Sequence, residues 1–149
     1  MKVVIANDHA AVGMKDAVMA HIRGMGHECE DYGAKPDEDT DYPVLAERVA
    51  RLVADGSADR GVLICGTGVG MGISANKVHG IRAVICSEPY TANFSRRHND
   101  TNILCFGARV VAVDVAKTIV DAWLETPFEG GRHGRRVGLL NALDDRERG

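Results

Sequence analysis

The stretch Gly61-Val62-Leu63-Ile64-Cys65-Gly66-Thr67-Gly68-Val69-Gly70-Met71-Gly72 decides the fold. Its first five residues form a continuous non-polar run, the pattern of a strand buried on both faces. Glycine then occupies every second position from Gly66 to Gly72, and a short helical segment ending near Lys77 follows. Strand, glycine turn and helix together make the first half of a parallel crossover unit. The same alternation extends in both directions. Upstream, Lys2–Ala6 is short, apolar and β-branched, and it ends in the polar group Asn7-Asp8-His9. Ala10–Met25 carries Val12, Met14, Val18, Met19 and Ile22 near helical spacing and is stopped by Gly24 and Gly26. His27–Tyr32 alternates as a weaker strand near a sheet edge. Gly33–Asp41 is a polar loop, and Tyr42-Pro43 opens a helix with Leu45, Val49, Leu52 and Val53 on one face.

Downstream, Ile81–Cys86 reads as a fourth strand, Pro89–Arg97 as a helix and Ile103–Phe106 as a fifth strand. Val113–Leu124 is a helix holding the only tryptophan, Trp123, and a charged helix runs from about 132 to Arg148. This pattern predicts an α/β fold, a parallel sheet with helices on both faces. Ligands of such sheets bind beyond the carboxyl ends of the strands. Asp8 and His9 follow the first strand, Cys65–Gly72 the third, and Ser87-Glu88 the fourth. The 149 residues suit a single domain over 1–149, with no repeat, low-complexity stretch or linker.

Composition excludes several classes. Apolar residues are 45% and charged residues 26%, and the net charge is −3, which argues against a sequence-independent nucleic-acid binder. The longest apolar runs fall far short of the roughly 20 residues of a membrane span. The first residues lack the pattern of a secretory signal. Cys29, Cys65, Cys86 and Cys105 form no C-x-x-C pair, so zinc-ribbon and thioredoxin-type sites are not expected. Reduced cysteines and the missing signal predict a cytoplasmic location.

The glycine loop is the strongest chemical signal. Alternating glycines let the backbone turn tightly and aim N–H groups at one point, and the following helix adds partial positive charge. Such a loop suits an anion or a developing oxyanion. Its spacing fails both the dinucleotide fingerprint and the Walker A pattern; a tight turn without ligand is the alternative. Cys65 ends the buried strand facing this loop, where amides favour a thiolate, whereas Cys29, Cys86 and Cys105 read as core. Asp8-His9 and His98-Asn99-Asp100 read equally as helix caps. Arg132 and Arg136 are four apart on one helix face, which suits the forked recognition of a phosphate. The alternative is a solvated face balanced by Asp144, Asp145 and Glu147.

The combination resembles the ribose-5-phosphate isomerase B family, which includes galactose- and allose-6-phosphate isomerases. The resemblance rests on Asn7-Asp8-His9, Thr40-Asp41-Tyr42-Pro43, Cys65–Gly70, Ala75-Asn76-Lys77, Gly80–Ala83, Cys86–Tyr90, Arg97–Asn102 and Gly130–His133, and it reaches about Leu143. It implies a Rossmann-like three-layer α/β/α sandwich with five strands. It also implies a homodimer with shared active sites, or a tetramer, and enediolate chemistry on a phosphorylated sugar without metal or organic cofactor. Carried onto this chain, Cys65 resembles the base between C1 and C2. Thr67 and the amides of Gly66, Gly68, Val69 and Gly70 resemble the enediolate-stabilising group. His98, from the partner subunit, resembles the acid that opens the furanose, with Asp8 at the ring oxygens and Asn99 as a hydroxyl ligand. His9, Arg109, Arg132 and Arg136 resemble the phosphate clamp, and Tyr42 lies beside the sugar. One branch of the family carries its base, a glutamate, where this chain has Met71, so the chain looks like the cysteine branch.

Ribose 5-phosphate and ribulose 5-phosphate are the expected pair. The same chemistry on allose 6-phosphate, galactose 6-phosphate or another phosphosugar is the alternative. A nucleotide- or phosphosugar-binding regulatory module on the same sheet is a third reading. It needs no base, so loss of Cys65 separates it from the other two.

Overall fold

The computed structural model describes residues 1–148. Five strands form one parallel sheet: β1 (Lys2–Asn7), β2 (Glu28–Asp31), β3 (Arg60–Cys65), β4 (Ala83–Ile85) and β5 (Ile103–Gly107), in the order β2-β1-β3-β5-β4. Six α-helices connect and follow them: α1 (Val12–Gly24), α2 (Tyr42–Ala54), α3 (Val69–Asn76), α4 (Pro89–Asn99), α5 (Val113–Leu124) and α6 (Arg132–Arg148). The expected α/β sheet is present, with β2 on one edge.

Alternate residues of the central strands face opposite layers. Val3, Ile5, Val62, Ile64, Leu104 and Phe106 pack with residues of α1 and α5, around the fully buried Trp123. Val4, Ala6, Leu63, Cys65, Ile103 and Cys105 pack with residues of α2 and α3, including Leu45, Val49 and Met71. Both faces are covered, which is why these strands read as continuous apolar runs rather than alternating ones. Trp123 donates its indole N–H to Thr101 Oγ1 at 2.9 Å, and Thr101 shares a second 2.9 Å hydrogen bond with Ser95 Oγ.

Three boundaries differ from expectation. The segment after β1 starts with a single 3₁₀ turn, His9–Ala11, because Asp8 Oδ1 accepts the Ala10 N–H at 2.9 Å. β4 is confined to Ala83–Ile85 instead of Ile81–Cys86. Side chains take the backbone groups at its start: Arg82 N–H goes to Asn102 Oδ1, and Asn76 pairs with both N–H and C=O of Ala83. α4 runs through His98 and Asn99 to a cap at Asp100, whose φ is +47°. His98 and Asn99 therefore ride on the helix's last turn rather than beyond it.

Candidate active site

The chain steps from β1 outward to β2 and then returns to the other side of β1 with β3. The strand order therefore reverses between β1 and β3, the place where open α/β sheets bind ligands. Asp8 and Cys65 end these two strands, tied together by Asp8 N–H donating to Ile64 C=O at 3.1 Å. Cys65 is buried, and its Sγ accepts the Gly68 N–H at 3.1 Å. That donor stabilises negative charge on sulfur. The other three cysteines are free and buried as well. Burial pushes the Cys29 and Cys86 thiols up to about 11 and that of Cys105 higher still, so these remain protonated core residues.

The loop holds its shape by close approach. Gly68 has φ +83°, and a Cβ there would lie 2.8 Å from the Phe106 backbone, so the loop rests directly on β5. A Cβ on Gly70 would lie 2.8 Å from the Tyr42 ring, which brings Tyr42 against the loop. Ala108 N–H and Arg109 N–H donate to Cys65 C=O and Gly66 C=O at 2.8 and 3.1 Å, and the Arg109 side chain passes beside Gly66. Thr67 Oγ1 accepts the Val69 N–H at 3.2 Å and keeps its own hydroxyl proton for an outside acceptor. α3 begins at Val69, so the N–H groups of its first turn point out of the helix toward the same space. Met71 turns the other way and is fully buried in the α2–α3 core. His9 is exposed and lines a cleft of about 510 Å³ with Lys15, Asp31 and Lys35.

Cys65, Thr67, Gly66, Gly68, Val69, Gly70, Tyr42, Asp8 and Arg109 thus share the carboxyl edge of the sheet, with His9. His98, Asn99, Arg132 and Arg136 do not join them. β5 pairs Ile103 with Gly61 at one end and Gly107 with Cys65 at the other. α4 ends just before β5 begins, so His98 sits at the amino edge, roughly 13 Å from Cys65 along the strands at about 3.3 Å per residue. There His98 stacks on His133, ring centroids 4.0 Å apart and 6° from parallel, with Phe94 edge-on at 4.9 Å. Glu129 Oε2 lies 4.0 Å from His98 Nε2 and 3.5 Å from His133 Nε2. The Arg97 guanidinium pairs with Glu129 and holds its carboxyl below the usual range. Burial, then the charges of His98 and Arg132, push the His133 imidazole down.

His98, Glu129 and His133 are metal-ligand types with donor atoms within 4.8 Å of one another. Two parallel imidazoles, however, keep their in-plane lone pairs in two parallel planes about 4 Å apart, so the lone pairs do not converge on one point. Arg97 and Arg132 also crowd the group with positive charge. Arg132 and Arg136 are exposed on α6, and among the described residues neither has an ion-pair partner. Asp144, which a balanced surface helix would turn toward them, bonds Gly80 N–H at 2.8 Å and pairs with His79 and Arg148. Sequence reasoning attached no role to Glu129 and His133. Their signal was the four-residue spacing across the glycine pair ahead of α6.

A family model described as ribose/galactose isomerase matches residues 3–140. The chain is 52% identical over 145 residues to the ribose-5-phosphate isomerase B of Escherichia coli strain K12, covering 97% of both chains. It superposes on the solved ribose-5-phosphate isomerase B of Clostridium thermocellum with a TM-score of 0.95 at 45% identity, covering 99% of each. The enzyme of the same name from Mycoplasma genitalium, solved with bound ribulose-5-phosphate, gives a TM-score of 0.92 at 37% identity, covering 97% of this chain and 96% of that one.

Proposed function

The chain belongs to the ribose/galactose isomerase family, and we propose that its Cys65 is the base that interconverts ribose 5-phosphate and ribulose 5-phosphate through an enediolate. It is an aldose–ketose isomerase of phosphosugars, as its relatives are. The observation that carries the residue assignment is the Gly68 N–H on Cys65 Sγ at the β1/β3 switch point.

The steps follow from the groups at hand. His98 gives a proton to the furanose ring oxygen as the bond from C1 to that oxygen breaks. Asp8 takes the C1 hydroxyl proton, and the aldehyde forms. The Cys65 thiolate removes the C2 proton, and the electron pair moves through the new C1–C2 double bond onto O1. Amides of the Gly66–Gly70 loop stabilise that charge. One such donor typically contributes about 10²–10³-fold. The Thr67 hydroxyl passes a proton from O2 to O1, and the Cys65 thiol then returns its proton to C1 as the C2 carbonyl forms. Tyr42 and Asn99 hold the sugar, and His9, Arg109, Arg132 and Arg136 hold the phosphate. Among the described residues the guanidiniums of Arg109, Arg132 and Arg136 have no ion-pair partner, which suits a dianionic phosphate on a chain of net charge −3.

His98 and Cys65 lie at opposite sheet edges of one chain. A second copy related by a two-fold axis would bring His98, Asn99, Arg132 and Arg136 of one subunit to the Cys65 loop of the other. Cys65→Ala should abolish turnover. Survival within tenfold, about 1.4 kcal/mol of barrier, would remove Cys65 as base. Co-refolding Cys65→Ala with His98→Ala should restore about a quarter of the unsubstituted activity, since half the dimers become hybrids with one intact site of two. No recovery would refute the shared site. Turnover on ribose 5-phosphate beside allose 6-phosphate and galactose 6-phosphate, with chelator present, tests the sugar. Preference for a six-carbon substrate would keep the chemistry and change the pair. A folded chain that turns over none of them would favour the binding-module reading.

A further inference from the structure

The enediolate steps leave unexplained the polar group around His98. Phe94 and His98 are one turn apart on α4, and His133 projects from the start of α6. His98 is held between the Phe94 edge at 4.9 Å and the His133 face at 4.0 Å. His133 is buried, and its Nε2 lies 3.4 Å from Arg132 Nε–H, which it can accept only as a neutral ring. Arg97, next to His98 on the last turn of α4, anchors Glu129, and the Glu129 N–H donates to Arg97 C=O at 3.1 Å. The carboxylate therefore has a fixed place, 4.0 Å from His98 Nε2. The charged groups around the stacked His98–His133 pair are Arg97 on α4, Glu129 ahead of α6, and Arg132 and Arg136 on α6.

We propose that Glu129 and His133 are positioning residues for His98 in ring opening: His133 clamps the imidazole flat, and Glu129 holds the Nε2 proton so that Nδ1 meets the sugar. This rests on the isomerase reading above and deepens it. The division of labour matches a triad in which one ring nitrogen is held by a carboxylate and the other transfers the proton. A separation of 4.0 Å closes to a hydrogen bond when substrate orders the site, since apo catalytic contacts are often long. In the step, Nδ1–H of the doubly protonated His98 goes to the ring oxygen. The electrons of the broken C1–O bond stay on that oxygen, and Asp8 collects the C1 hydroxyl proton. Glu129 neither gains nor loses a proton. His133 stays neutral throughout.

Chemistry supplies a test that separates ring opening from the enediolate steps. Ribulose 5-phosphate has its ketone at C2 and its C5 oxygen esterified, so it cannot close to a furanose. Exchange of its C1 protons with deuterated water needs Cys65 and the loop but no ring opening. Conversion of ribose 5-phosphate needs both. In Glu129→Gln and His133→Ala, conversion of ribose 5-phosphate should fall about 10–100-fold while C1 exchange stays within about twofold of the unsubstituted chain. His133→Phe, which keeps a flat ring against His98, should restore conversion to within about threefold. The preserved exchange also reports an intact fold. Conversion and exchange falling together would make the pair structural and overturn the proposal, as would both remaining unchanged. C1 exchange surviving in Cys65→Ala overturns instead the base assignment on which the proposal rests.

Discussion

Gly68→Ala concentrates the demands on the glycine loop into one methyl group. The backbone there has φ +83°, a region that costs an L residue about 1–2 kcal/mol. The added Cβ would also meet the Phe106 backbone at 2.8 Å. Phe106 is fully buried in a strand paired on both sides, so it does not yield, and overpacking of this kind costs about 1–3 kcal/mol. Together the two effects take about 2–5 kcal/mol from a domain whose total stability is typically about 5–15. With a urea slope of about 2 kcal/mol per molar, within the usual range of about 1–3, the midpoint should fall by about 1–2.5 M. The loop would also lift from β5, drawing the Gly68 N–H away from Cys65 Sγ, so turnover on ribose 5-phosphate should drop with stability. Gly66→Ala is the control. A Cβ there meets only Arg109 side-chain atoms, at 3.6 Å, and should cost less than about 1 kcal/mol. Equal losses in the two variants, or an unchanged midpoint and turnover for Gly68→Ala, would refute the account of how the loop is held.

Thr101→Val should leave the Trp123 indole N–H without an acceptor in a fully buried site, lowering stability by about 1–3 kcal/mol. Thermal unfolding reads this directly, and a loss below about 0.5 kcal/mol would show that the N–H finds another partner. Glu38 ties the Gly33–Asp41 loop to α2 through Arg48. The Arg48 hydrogen bond, with those of Thr40 and Lys35 N–H, holds its carboxyl down to about 2. A depressed carboxylate stabilises the fold above its ordinary range near 4.5 and loses that contribution as pH falls toward about 2. Glu38→Gln should therefore flatten the pH dependence of stability between those limits, measured as unfolding midpoints across the acid range. An unchanged slope would mean that the pair does not couple to folding.

Much of the fold was legible because its physics is local. The central strands are apolar on both faces, and each is followed by a helix with a periodic apolar face, so a parallel two-faced sheet was the consistent solution. The Cys65 loop was legible for a related reason. Four alternating glycines exceed the needs of a turn, and three of them, Gly68, Gly70 and Gly72, are accounted for by close contacts with Phe106, Tyr42 and Ile85. The start of β4 was misread because it is settled by side chains distant in sequence. Asn102 takes the Arg82 N–H and Asn76 takes both groups of Ala83, competitions that an apolar run such as Ile81–Cys86 does not display. Glu129 and His133 escaped for the opposite reason. A glutamate beside glycines and a histidine among arginines look like ordinary surface residues until α6 folds back against α4.

The separation of Cys65 from His98 has a cause in the topology itself. In a parallel sheet every crossover helix carries the chain from the carboxyl edge back to the amino edge. A residue on the last turn of such a helix therefore lies at the edge opposite the strand-end loops. His98 and Asn99 end α4, and Cys65 ends β3, so the length of the sheet stands between them however the loops are arranged. Repacking within one chain cannot bring them together without unmaking β5. Chemistry that needs both a base at Cys65 and an acid at His98 must draw them from two copies. α6 starts beside His98 at that same amino edge, so Arg132 and Arg136 would travel with it. The proton donor and part of the phosphate clamp would then arrive on one rigid surface of the partner.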